Sequence, residues 1–248
     1  LYWANESWRK TWFGQDNKIV WEQKYGTELD WRAQFDYCLQ YFKDSRYIKI
    51  DGKPVYAIYN AWDIPNQDRF LSLWDEWARE AGLPGIYFVK TIGRHEKDEC
   101  GRFSARVTRE PNYTFAYGEK LFEKIWRVAS TRTIDFINTK FLLKKGKGIV
   151  RLKTSYDMLW DRILNRENQD DKTFLGCFCA WDNSPRKSYN CNVMMGVTAE
   201  KFKNYFRKLY IKAQTIGSPM IVINAWNEWA EGAYLEPDEK NGYAFLEA

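Results

Sequence analysis

The 248 residues carry a formal net charge of +5, a pI near 8.8 and 45% apolar residues, the profile of an ordinary folded chain long enough for one α/β barrel. No apolar run approaches the roughly 18 residues of a membrane-spanning helix, and Lys and Arg are spread instead of blocked into a nucleic-acid arm. His95 is the single histidine, so a multi-His metal site is excluded and a Ser-His or Cys-His enzyme would have to rest on it alone.

Predicted elements alternate along the chain. A strand at Leu1 to Ala4 is followed by a helix over Asp30 to Lys43, where Trp31, Phe35, Cys38, Leu39 and Phe42 share one face. A strand at Pro54 to Asn60 precedes a helix over Gln67 to Ala81, stopped by Gly82 and Pro84. Strands at Ile86 to Thr91 and Ser104 to Thr108 come next, then weaker helical patterns at Tyr117 to Val128 and Ser155 to Arg166. Phe174 to Ala180 reads as a buried strand, Thr198 caps a helix closed by Gly217, and Met220 to Ala225 is the last strand. Continuous apolar strands alternating with helices predict a parallel α/β fold, most simply a (β/α)8 barrel. Six strands are counted where closure needs eight, and Leu1 opens inside a strand without a Met. The expectation is one domain, 1–248, lacking its first two strands in this chain. The basic stretch Lys144 to Gly148 reads as a surface turn.

Composition points to chemistry in one respect. Trp 13, Tyr 16 and Phe 15 make up 18% of the chain. Flat rings bordered by amides, acids and Arg are how proteins grip sugars, the competing reading being a Trp-rich core. The five cysteines include no C-x-x-C pair, and they read as reduced core thiols of a cytoplasmic protein.

In a parallel barrel the site lies at the C-terminal strand ends. Four ends here carry aromatic, amide and acid clusters. They supply Trp3, Asn5, Glu6 and Trp8; Tyr59; Trp181, Asp182, Asn183 and Arg186; and Trp226, Asn227, Glu228 and Glu231. Asn and Asp are also ordinary loop and cap residues, so each cluster alone has a structural reading. Glu228 and Glu231 are three apart and share a face if the strand runs into a helical start. Two carboxylates about 5 Å apart are the equipment for glycosidic chemistry with retention, whereas two acids at a helix N-terminus would serve its dipole.

The motifs Trp3-Ala-Asn-Glu-Ser-Trp8, Glu22-Gln-Lys-Tyr-Gly26, Asp30-Trp-Arg-Ala-Gln-Phe-Asp36, Trp181-Asp-Asn-Ser-Pro-Arg186, Asn224-Ala-Trp-Asn-Glu-Trp-Ala-Glu-Gly232 and Leu235-Glu-Pro-Asp238 resemble the WbsX family. Those proteins are described as glycosyltransferases of bacterial surface-polysaccharide (lipopolysaccharide, O-antigen) clusters. The family is similar in turn to the endo-mannosidases of glycoside hydrolase family 99, which share the Asn-Glu-Trp-x-Glu-Gly motif. The resemblance implies a (β/α)8 barrel acting on glycans, without a cofactor or metal. It implies that Glu228 deprotonates the sugar 2-hydroxyl and Glu231 is the acid/base, with Glu236 among the substrate contacts. The histidine usual between the two acids is Ala230 here.

Transfer and hydrolysis both stay open. No Asp-x-Asp and no phosphate-cradling glycine loop occurs, so a metal-dependent nucleotide-sugar transferase has little support. A non-catalytic glycan-binding barrel would keep the tryptophans without needing both glutamates, and RNA binding through exposed aromatics ranks last.

Overall fold

The computed structural model describes residues 1–10, 18–92, 98–119, 121–142, 151–167, 169–187 and 191–248. His95 and the basic stretch Lys144 to Gly148 lie outside them. The chain divides into two compact units, Leu1–Trp8 with Ile19–Val107, and a second built on Thr108–Ala248. Each has its own core.

In the first unit, β1 (Tyr2–Trp3) leads to helix α1 (Glu28–Phe42). The helix starts two residues before its sequence periodicity because Thr27 and Asp30 form a reciprocal capping box, with Thr27 N–H donating to Asp30 Oδ2 at 2.7 Å. A short hairpin, β2 (Lys49–Ile50) and β3 (Lys53–Ile58), precedes α2 (Gln67–Glu80), β4 (Tyr87–Thr91) and β5 (Ala105–Val107). β1, β3, β4 and β5 are parallel neighbours, with Tyr2 opposite Ala57, Val55 opposite Tyr87 and Val89 opposite Ala105. This is the β–α–β alternation the apolar runs predict. The helices cover the sheet with aromatic side chains. Trp74 is fully buried, its ring 5.5 Å from Phe35, 4.7 Å from Tyr56 and 5.1 Å from Phe70. Much of the aromatic excess therefore serves packing.

In the second unit, α3 (Asn112–Tyr117) and α4 (Leu121–Ile137) replace the single helix expected from Tyr117 to Val128. Gly118 closes α3, its N–H returning to the Thr114 carbonyl at 2.8 Å, and the 3.6-residue pattern restarts beyond it. Next come β6 (Leu152–Ser155), α5 (Tyr156–Leu164), β7 (Thr173–Phe178), α6 (Ser184–Lys187), β8 (Asn192–Met195), α7 (Ala199–Ile216) and β9 (Ile221–Asn224). The Ser155 and Thr198 hydroxyls cap α5 and α7, and Gly217 ends α7 at φ 72°. β7 and β9 pair in parallel, with Ile223 opposite Cys177. β6 and β8 form a second parallel pair that sequence patterning misses, because β6 runs straight into α5. Trp160 is stacked between Phe178 and Tyr205, at 5.9 and 5.3 Å. Tyr156 Oη donates to the Cys179 carbonyl at 2.8 Å, tying α5 to the end of β7.

All six expected strands are thus present, in an α/β fold of parallel β–α units. One glycine is demanded by close approach. Gly176 on β7 donates its N–H to Thr108 Oγ1 at 2.9 Å, and a Cβ there would fall on the Thr108 carbonyl oxygen. Gly176→Ala should cost about 3 kcal/mol by overpacking this contact. Thermal or urea unfolding checks it, and a loss below about 0.5 kcal/mol would contradict the packing described.

Candidate functional site

The two acids of the last strand end do not start a helix. β9 passes through Ala225 and Trp226 into a tight hairpin, β10 (Asn227–Glu228) and β11 (Ala233–Tyr234). Asn227 opposes Tyr234 and Glu228 opposes Ala233. The connection is one 3-10 turn, Trp229–Glu231, ended by Gly232 at φ 59°. A left-handed glycine reverses the chain before a second turn can form, so there is no helix dipole for these acids to serve. Glu228 sits at the strand end that enters this turn and Glu231 at the turn's last position.

The hairpin is fastened to the segment that follows β7. Asp182 N–H donates to the Glu231 carbonyl at 2.8 Å, and Arg186 Nη1 donates to Glu231 Oε1 at 2.9 Å. Arg186 is placed by its own local structure. Asp182 Oδ1 accepts from Ser184 N–H at 2.9 Å, an Asx turn that launches α6, and the Asn183 carbonyl accepts from the Arg186 and Lys187 N–H groups. Glu231 is 13% exposed at its side chain, and its second oxygen, Oε2, is buried without a hydrogen-bond partner among the described residues. Glu228 is exposed. Trp226 and Trp229, on the entry to the hairpin and in its turn, are each about half exposed. Trp229 stacks on Tyr234 at 3.9 Å, and its indole N–H donates to Glu236 Oε2 at 2.7 Å. A wall of rings beside two carboxylates and a guanidinium suits a sugar, whose C–H faces stack and whose hydroxyls need charged or polar partners.

The remaining sequence-predicted residues divide by burial. Trp226, Asn227, Glu228, Glu231, Arg186, Glu236 and Asp182 belong to the hairpin and its fastening. Trp181 differs from the expectation of a sugar platform. It is 7% exposed and packed into the second core with Phe178, Met194 and Ala233, long-range neighbours that its own segment does not reveal. Asn183 is likewise buried, its Oδ1 accepting from Asn192 N–H at 2.8 Å. Asn5 in the first unit is fully buried, and its amide braces the strand ends. Nδ2 donates to Tyr25 Oη at 3.1 Å and the Asn60 carbonyl at 2.7 Å, and Oδ1 accepts from Asn60 N–H at 2.7 Å. Burial also pushes the Tyr25 phenol above its ordinary range. Trp3 is half-buried, stacked 5.9 Å from Phe70, and Tyr59 is half-buried near Tyr2. Glu6 and Trp8 are exposed. Tyr234 is the contributor that sequence reading passed over, and the hairpin register, visible only once Gly232 is known to turn the chain, is what brings it in.

The cysteines are not part of this chemistry. The five form no disulfide, and burial raises the Cys177 and Cys179 thiols, away from the thiolate form a nucleophile needs. Among the described residues no group of three or more His, Cys, Asp or Glu side chains is placed to hold a metal ion.

A family model described as glycosyltransferase WbsX matches residues 1–248. The chain belongs to the WbsX glycosyltransferase family. Two curated relatives, each named an uncharacterized protein WxcX from a strain of Xanthomonas campestris pv. campestris, are 26% identical to this WbsX chain over 259 residues. The alignment covers 100% of this chain and 33% of theirs, so the chain spans about a third of the length of the curated relatives it matches. Among solved structures, a glycoside hydrolase-like protein aligns with a TM-score of 0.52 at 14% identity, over 88% of this chain and 59% of that one. That likeness shows a shared fold. The GH99 endo-alpha-mannosidase from Bacteroides thetaiotaomicron aligns with a TM-score of 0.43 at 14% identity, covering 86% of this chain and 54% of its own.

Gly232 gives the hairpin its direct test. A Cβ there would stand 2.8 Å from both the N and the O of Asp182, at a φ that disfavours L side chains. Gly232→Ala should cost about 2–3 kcal/mol in chemical unfolding, from the left-handed backbone and the clash together. A loss under about 0.5 kcal/mol would contradict the described contact.

Proposed function

We propose that this WbsX chain carries the catalytic carboxylates of an enzyme that makes or breaks glycosidic bonds with retention, using Glu228 and Glu231 as the working pair. The supporting observation is the condition of Glu231. Arg186 occupies one oxygen, and the other is buried with no partner among the described residues. An unfilled buried acceptor costs about 1–3 kcal/mol, and a ligand group that fills it removes that cost. The hydroxyl of an acceptor sugar or of water donating to Oε2 would do so, leaving Glu231 placed to take that proton. Exposed Glu228 would then act at the adjacent sugar carbon or its 2-hydroxyl, and Trp226 and Trp229 would hold the ring.

In this reading residues 1–248 form one domain of (β/α)8 type, and transfer into a bacterial surface polysaccharide of the O-antigen kind is the favoured reaction. Hydrolysis by the same pair differs in that water replaces the acceptor. Thiols that form no disulfide fit work in the cytoplasm. No cofactor is required by this chemistry, and no nucleic acid takes part.

The test is to incubate the full-length protein with α-mannan and O-antigen-type oligosaccharides and to read products by mass spectrometry, with the anomer assigned by NMR. Extended or shortened glycans with unchanged anomeric configuration are expected. Glu228→Gln and Glu231→Gln should each lower turnover at least about 100-fold while glycan binding persists. Wild-type turnover in both variants would remove the carboxylate pair from the mechanism. Binding without turnover in the wild type would make the chain a glycan-binding module.

A further inference from the structure

Helix α4 is mounted with its polar side inward. Glu123 Oε1 accepts from Arg162 Nη2 at 2.8 Å, and Arg127 Nε donates to Glu119 Oε2 at 2.8 Å with its guanidinium 5.4 Å from the Phe115 ring centroid. These contacts fix the helix to the second unit through charged side chains. The opposite side carries Leu121, Phe122, Ile125, Trp126 and Phe136, all between 55% and 76% exposed, and no residue of the 17-residue helix is buried. Their spacing keeps them on one stripe. A helix on a domain surface normally turns such a stripe toward the core. Phe122 and Trp126 also border a cavity of about 350 Å³ together with Met158, itself 40% exposed, so the apolar surface continues past the helix.

The charges on the outward side select what covers it. Arg132 is exposed within the stripe and Lys124 at its edge, its Nζ donating to the Ala116 carbonyl at 3.4 Å, and exposed Lys140 and Phe141 follow the helix; of the acids of α4, Glu123 is paired with Arg162 and Asp135, beside Lys124 at the edge, is half-buried. A second copy seated on this stripe would set cations against cations. An anionic phospholipid surface satisfies both features, because Trp and Phe settle at the headgroup level and Lys and Arg meet the phosphates. No helix among the described residues is long and apolar enough to cross a membrane, so the contact is one of lying in the surface. We infer that α4 is an interfacial helix that docks the protein on an anionic bilayer, inserting Leu121, Phe122, Ile125 and Trp126 between headgroups flanked by Lys124 and Arg132. The inference is independent of the glycan chemistry.

Cosedimentation of the full-length protein with phospholipid vesicles tests it. Vesicles holding about 30 mol% phosphatidylglycerol should retain the protein at least about tenfold better than pure phosphatidylcholine, and about 1 M salt should weaken the retention. The exposed pair Phe122→Ser with Trp126→Ser should lower partitioning about tenfold or more without changing circular dichroism or melting, since neither ring is in the core. Lys124→Glu with Arg132→Glu should abolish the preference for anionic lipid. Absence of retention, equal retention on both lipids, or wild-type partitioning by the serine variant overturns the inference. A wild-type dimer that the serine variant turns into a monomer, with no vesicle binding, assigns the face to a second copy and also overturns it.

Discussion

The candidate site depends on one fastening. The carbonyl and carboxylate of Glu231 are held from the same side, by the Asp182 N–H at 2.8 Å and by Arg186 at 2.9 Å. Backbone and side chain of a single residue are thereby tied to the loop after β7. The 227–234 hairpin has one short ladder and a three-residue turn, and this tie adds to the burial of Ala233 in the second core and to the Leu235 and Glu236 N–H bonds to Trp226. The left-handed Gly232 is what lets the chain come close enough to Asp182 to make it.

The fastening in turn rests on the second core. Asp182 follows Trp181, and Trp181 is buried with Phe178, Trp160 and Tyr205. Burying that indole costs the protein a surface ring but gives the loop a rigid origin, which a carboxylate site requires more than another stacking face. Asn183 continues the same role, fixing Asn192 by its side chain and the start of α6 by its carbonyl.

Sequence patterning made the frame legible. The six apolar runs became strands, most of them alternating with segments of helical periodicity, as the run from Pro54 precedes the helix that stops before Gly82. It also found the hairpin residues, since Trp226, Asn227, Glu228 and Glu231 follow a strand end directly. Depth was not legible. Nothing local separates Trp181, whose ring is buried, from Trp226, whose ring is half exposed, because both follow a strand and precede an amide or acid. Asn5 reads as a substrate contact at a strand end, yet it is a fully buried brace between Asn60 and Tyr25. Helix α4 inverted the usual rule, its anchors being ion pairs with Arg162, far along the chain, and with Glu119 just before the helix, neither of which its helical wheel contains. Long-range partners decide these cases, and periodicity within one segment carries no information about them.

The most direct measurement of the central claim is a double-mutant cycle between Arg186→Met and Glu231→Gln, read by turnover of the full-length protein on its glycan. If Arg186 works by holding Glu231, the two losses should fail to add by at least about 1.5 kcal/mol, because once either partner is gone the other has nothing left to support. Losses that add to within about 0.5 kcal/mol would show that the guanidinium and the carboxylate act separately, and would contradict the account of a fastened site.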